Sequence, residues 1–340
     1  MRSRAAIAAC TALAAFAAVV PGASDSASPP IAPNYDIYSI PVGGGSPTRL
    51  TTEAVDELSP SMSTDGTTLV YSRGNDLWLM NADGTNQREL ARAREQVRYE
   101  HPSWSATGRF IAFTAWDFSG CLPTSRRCAA PSVEVVQSDG SGLREIRPWA
   151  MTPRWSPRGQ KLVIAGEVVP FNLWPTSIYT VSLSGSGPRL AHAKGGVGAP
   201  SWSPDARRVV YTRLVGQSPV VYVVRADRPG SRRLRRGDHP EWSPRGDRVA
   251  LSDHGNLYLV HSNDPLRPRH VGSATWYSWN RRGDRLALAD WRLAVIRPNG
   301  RSYRVLCCEQ RFGIGEDPPA WSLRGDRIFY AFKANDVPPA

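Results

Sequence analysis

The residues best suited to chemistry gather just before a recurring proline. Glu100-His101 precedes Pro102, Asp238-His239 precedes Pro240, and Glu57 and Asp317 stand at nearby positions before Pro60 and Pro319. A carboxylate beside an imidazole is the minimum for general acid–base work. One of these groups could act as a base on a polysaccharide if a partner acid converged on the same point. Without that convergence the same residues form a polar ligand-binding patch. A second set is aromatic: Trp116, Trp149, Trp174 and Trp276, with Phe118 and Phe171 close to them in sequence. Indole rings suit a sugar or a peptide, each of which has apolar faces and polar edges; the same rings could instead pack long loops onto their own scaffold. Cys121 and Cys128 share one irregular stretch, and a bridge between them is expected in an oxidising compartment.

What positions these residues is a repeat. The phrase Pro-x-Trp-Ser-Pro-x-Gly, followed by an apolar triplet, is complete at Pro153–Gly159 and Pro240–Gly246. It is nearly complete at Pro102–Gly108, Pro200–Ala206 and Pro319–Gly325, and weaker at Tyr277–Gly283 and at Pro60–Gly66, where Met62 replaces the Trp. Successive Trp-equivalent positions are 37 to 51 residues apart. A second phrase alternates with the first: a short apolar strand, a turn and another strand. Leu77-Trp78-Leu79-Met80, the Asp83-Gly84 turn and Leu90 make one copy, and Asp139-Gly140 and Asn299-Gly300 mark further hairpins. Each phrase reads as a two-stranded hairpin, and two hairpins make a sheet that cannot bury both faces alone. The copies must therefore stack around an axis. The expectation is an all-β, seven-bladed β-propeller of four-stranded antiparallel blades, with the phrase Trp packed between blades. The chain begins with a second hairpin, residues 35–51, and ends with a first hairpin, residues 319–332. The N-terminal strands should thus join the C-terminal blade and close the ring.

These phrases resemble the TolB-type, WD40-like propeller repeats, whose hallmark is Pro-x-Trp-Ser-Pro-Asp-Gly, over about residues 35–333. The resemblance implies the propeller fold and two kinds of role. TolB joins a cell-envelope complex, and some TolB-like propellers are lyases that hold a metal through His residues near the channel mouth. For a metal the expected topology is unfavourable here. His101 and His239 fall in the second and fifth blades, nearly opposite in the ring, whereas zinc needs donors within ~2.0–2.2 Å of one point. Prolyl-oligopeptidase relatives fuse such a propeller to a hydrolase domain, but no Gly-x-Ser-x-Gly elbow occurs in this chain.

Chain order fixes which loops share an end of a propeller. Connections into the first strand and between the second and third strands open on one end, the top. The long connections, residues 91–101, 114–131, 165–176 and 306–318, all map there. So do Trp116, Trp149, Trp174, Glu100, His101, Asp238 and His239, which form the expected ligand-binding set. Hairpin turns occupy the bottom and carry Arg158, Arg207, Arg245, Arg282 and Arg324, partly offset by Asp205, Asp247, Asp284 and Asp326. That surface is either a solvated charged rim or a contact for anionic wall polymer or lipid head groups.

Residues 1–30 read as a secretory signal peptide and short linker: Arg2 and Arg4, the apolar run Ala5–Val20, then small residues from Gly22 to Ser28. Residues 31–340 are then a single propeller domain, secreted or in the extracytoplasmic cell envelope, with no transmembrane segment in the mature chain. The 340 residues carry a net charge of +12 that is nearly all arginine, with Lys only at Lys161, Lys194 and Lys333. A nucleic-acid partner would need clustered basic side chains with interleaved aromatics on one surface, and none is expected for an exported chain. The reading is a non-catalytic, monomeric binding or scaffold protein without a cofactor, its partner an envelope protein or a cell-wall glycan. The alternative is a lyase-like propeller enzyme acting on polysaccharide at the channel mouth.

Overall fold

Proline sets the geometry of the strands that line the axis. The computed structural model describes residues 34–121, 129–168, 175–193, 196–264, 266–290, 292–307 and 318–333, all within one compact unit, Pro33–Ala340. They form seven four-stranded antiparallel sheets, and no helix occurs among them. Blades 1 to 6 span Glu57–Ala91, Val97–Pro148, Ala150–His192, Val197–Arg236, Asp238–Ser273 and Trp276–Cys307. Blade 7 combines Ala320–Trp321 and Arg327–Lys333 with Tyr35–Pro41 and Thr48–Arg49. Tyr35–Pro41 pairs along its whole length with Arg327–Lys333, and Arg327 donates to the Ser39 hydroxyl at 2.7 Å. The N-terminal strands therefore close the ring.

In blades 1 to 5 the innermost strand carries a β-bulge at the proline, between Leu58 and Ser61, Glu100 and Ser103, Met151 and Arg154, Gly198 and Ser201, and Asp238 and Glu241. Proline has no N–H for the ladder, so it is tolerated where pairing is interrupted. The residue before each of these prolines is left-handed: Ser59, His101, Thr152, Ala199 and His239 have φ of 54°, 54°, 52°, 46° and 49°. Blade 6 has Tyr277 where the others have proline, and its inner strand Trp276–Trp279 pairs without a break.

Hydrophobic clusters fill each junction between neighbouring blades. Leu77, Leu79 and Val70 of blade 1 meet Tyr99, Ile111 and Phe113 of blade 2, and Ile37 and Phe329 of blade 7 meet Leu69 and Tyr71 of blade 1. The phrase Trp sits at these junctions. Trp155, Trp202, Trp242, Trp279 and Trp321 are buried and Trp104 is partly buried. Four of them reach back one blade with the indole N–H: Trp104 to Ser61 O (3.1 Å), Trp155 to Ser103 O (3.0 Å), Trp202 to Arg154 O (2.9 Å) and Trp321 to Ser278 O (3.1 Å). Trp242 and Trp279 bury the same N–H with no partner among the described residues. Below the Trp, the Ser-Pro-x-Gly turn needs a left-handed last residue, which glycine supplies in most blades. Ala206 holds that conformation in blade 4, at φ 59°.

Candidate functional site

The top mouth of the channel is built from the bulged inner strands. Glu57 begins the inner strand of blade 1 fully buried, 2.6 Å from the Arg73 guanidinium. Arg73 also stacks 4.1 Å over the Trp78 ring and donates to the Tyr71 hydroxyl and to Gln87. Burial pushes the Glu57 carboxyl up to about 7, against the pull of Arg73. Across the seam with blade 7, Asp36 is buried and paired with Arg49 at 2.6 Å, and burial raises its pKa too.

In blade 2, Glu100 is mostly buried and held by Arg98 at 2.7 Å. The His101 ring is 42% exposed and 3.9 Å from Glu100. In blade 5, Asp238 accepts from the Thr212 hydroxyl and from the His239 N–H, both at 2.7 Å. The His239 ring packs edge-on against Trp276 with centroids 4.5 Å apart. The structure thus sets each carboxylate beside its own imidazole, but on blades 2 and 5, which share no face. Among the described residues no group of three or more His, Cys, Asp or Glu side chains is placed to hold a metal ion.

The aromatic set divides. Trp149 lies in the crossover between the outer strand of blade 2 and the inner strand of blade 3, left-handed at φ 53° and 40% exposed. Trp116 sits near the top of the second strand of blade 2, opposite Arg98 and Pro131. It is partly buried, and its N–H is enclosed with no partner among the described residues. Trp276 is partly buried against the core of blades 6 and 7. Trp174, Phe171 and Asp317 lie outside the described residues. Cys121 is disulfide-bonded; Cys128 also lies outside them.

Two clusters are not apparent from sequence reasoning. The first involves the residue between Pro and Trp in the phrase, which in blades 4 and 6 touches the same phrase in the next blade: the Ser201 hydroxyl accepts from the Trp242 backbone N–H and Ser278 donates to Pro319 O. Glu241 of blade 5 feels the charge of Arg154 of blade 3, and burial pushes its carboxyl up to about 7. Blades 3 and 5 are not neighbours in the ring. The phrase itself holds the signal, since this position is Ser61, Ser103, Arg154, Ser201, Glu241, Ser278 and Ala320, with one acid and one base among small residues. The second cluster is Ser177, Glu167 and His192 at the top of blade 3. The Ser177 hydroxyl lies between the Glu167 carboxylate and His192 Nδ1, 2.9 Å from the ring, and hydrogen bonds from Ser177 and Tyr179 hold Glu167 down at about 2. These are the residue types of a hydrolytic triad in the wrong order. A triad places the imidazole between acid and hydroxyl, and here the hydroxyl is central and wholly buried.

The TolB beta propeller domain family model matches residues 73–260. The chain belongs to that family. Among solved structures this TolB-type propeller is similar to an oligogalacturonate lyase in complex with manganese, at 14% identity and TM-score 0.59 over 86% of this chain and 80% of that one. It is similar to a putative TolB from Agrobacterium tumefaciens at 14% identity and TM-score 0.54, covering 89% and 99% of the two chains. TolB from Acinetobacter baumannii matches at 18% identity and TM-score 0.51, over 79% and 67%. At these identities the likeness is one of fold, shared by proteins of different roles.

Proposed function

We propose that this TolB-type propeller is a non-catalytic binding or scaffold protein of the extracytoplasmic envelope, and that its long-loop face takes a glycan or an extended segment of an envelope protein. Trp149 carries the reading. A large ring that is 40% exposed on a strained backbone has little packing reason to stand there, and it suits a ligand with apolar faces. Trp116, Trp174, Glu100, His101, Asp238 and His239 complete the proposed surface. The mouth carboxylates support binding over turnover, because Glu57 and Glu100 are already engaged by Arg73 and Arg98. A lyase would need its acid and base within reach of one substrate atom, and the two carboxylate–imidazole pairs stand on non-adjacent blades. Export rests on residues 1–30, and a Cys121–Cys128 bridge in the top loop of blade 2 fits that compartment.

The test is to present arrayed oligosaccharides and peptides to the protein, then recover whatever binds and weigh it. Ligand recovered intact, with oligogalacturonate also unchanged after incubation with manganese, is the expected result. An unsaturated or shortened sugar product would replace this reading with the lyase.

A further inference from the structure

The bottom of blades 5 to 7 holds its arginines differently from the top. At the top, guanidiniums meet carboxylates, as in Arg49–Asp36, Arg73–Glu57 and Arg98–Glu100. Between the turns of blades 5 and 6 lies a cleft of about 410 Å³ lined by Arg245, Arg248, Arg269, Arg285 and Arg297, with Asp284 its one carboxylate. A second cleft of about 270 Å³, between blades 6 and 7, shares Arg285 and Asp284 with the first and adds Arg282, Arg324 and Asp326. Together the two linings hold seven arginines against two carboxylates.

Those carboxylates offset them only in part: two charges face seven, and Asp326 interacts with Arg324 and Arg327. Asp284 accepts from the Asn280 amide at 2.6 Å and Asp326 from the Ser322 hydroxyl at 2.6 Å, each bracing its own turn. Of the five arginines in the larger cleft, only Arg248 has a carboxylate partner among the described residues, Asp247 at 3.2 Å. Arg245 and Arg269 are anchored by backbone carbonyls instead, Arg282 O at 3.0 Å and Asn299 O at 3.3 Å. A carbonyl fixes a guanidinium in space without cancelling its charge. The clefts are thus concave and carry excess positive charge, with Arg245 and Arg269 held in place, and the planar fork of arginine suits the oxygens of an oxyanion.

We propose that the two clefts form one groove for a linear phosphate-bearing polymer, with successive phosphates entering the larger and the smaller cleft and Arg285 serving both. The polymer is favoured over a lipid surface because the guanidiniums line recesses between the turns. The exposed Leu266 and Tyr303 on the outer turns of blades 5 and 6 make the lipid surface the alternative to exclude.

The probe is fluorescently labelled linear polyphosphate, followed by anisotropy in low salt, with vesicles containing phosphatidylglycerol in parallel. Wild type should bind the chain and release it as salt rises. Arg285→Ala should weaken binding at least about tenfold, and Arg297→Lys should weaken it less because the charge remains without the fork. Arg158→Ala and Arg207→Ala, on the bottom turns of blades 3 and 4, should change it by less than about twofold. Unchanged melting of the exposed-site variant Arg297→Ala, with weaker binding, would separate a site effect from unfolding. The proposal is overturned if Arg285→Ala and Arg297→Ala bind as wild type does, or if the blade 3 and 4 variants lose as much, since the charge would then act diffusely. It is also overturned if the protein ignores polyphosphate but binds vesicles in a way abolished by Leu266→Asp.

Discussion

Replacing the phrase Trp by Phe should cost unequal amounts around the ring, and the inequality follows from one hydrogen bond. Trp155 and Trp242 are alike in burial, 7% and 4% exposed. Phe keeps most of the ring in either place, so shrinking the side chain removes similar contact, roughly 1–2 kcal/mol. Trp155 also donates to Ser103 O at 3.0 Å, whereas the Trp242 N–H has no partner among the described residues. Losing the bond and stranding a buried carbonyl adds about 1–3 kcal/mol at position 155. At position 242 the same change removes an unsatisfied donor. A weakened stack of Arg208 on Trp242, now 4.9 Å from the ring centroid, narrows the gap by about 0.5 kcal/mol. Trp155→Phe should therefore fall below Trp242→Phe by roughly 1–2 kcal/mol in urea unfolding, read from midpoints at a common slope. Equal losses, or the reverse order, would refute the assignment of these indoles.

Three further outcomes follow from the seam and the turns. Glu57 has a folded pKa of about 7 against an ordinary 4.5, so the folded chain keeps a proton that the unfolded chain has released. Its contribution is full below about pH 4.5 and is lost as pH rises through about 7, up to about 3 kcal/mol. Glu241 acts in the same sense, while Glu167, held at about 2, matters only at lower pH; melting should drop between about pH 5 and pH 8, and Glu57→Gln should flatten the drop. Deleting residues 31–51 should destabilise the whole domain, because it bares the edge of Arg327–Lys333 and opens the ring; a deletion variant melting like the full chain would contradict this. Ala206→Gly should raise stability by about 0.5–1 kcal/mol by relieving the φ of 59°, and an unchanged or lower melting temperature would show that the turn is not strained.

Much of the fold is legible because it is local and repeated. The Pro-x-Trp phrase or a near copy marks each inner strand, with Met62 for Trp in blade 1, and the exception in blade 6 reads through: its inner strand, with Tyr277 in place of proline, pairs without a bulge. The leftover hairpins at the two ends foretell the pairing of Tyr35–Pro41 with Arg327–Lys333. Sites are harder, since they depend on residues that meet through space. Glu241 and Arg154 share a repeat position, but nothing in sequence ties Ser177 to Glu167 and His192. The bottom face shows a subtler limit. Alternating Arg and Asp along its turns suggest mutual neutralisation, and Asp205 and Asp326 do interact with neighbouring arginines while bracing their own turns, yet the two cleft linings still hold seven arginines against two carboxylates.

The central claim, that the long-loop face binds ligand through exposed aromatic side chains while the phrase Trp residues hold the blades, is tested most directly by Trp149→Ala and Trp242→Ala side by side. Each variant is melted and then titrated with the glycan or peptide that the array identifies. Trp149→Ala should melt as wild type does and lose about 2 kcal/mol or more of binding, roughly thirtyfold in Kd. Trp242→Ala should lose roughly 3–5 kcal/mol of stability. If Trp149→Ala binds like wild type, or melts as early as Trp242→Ala, the ring belongs to the packing of its loop and the long-loop face is not the binding site.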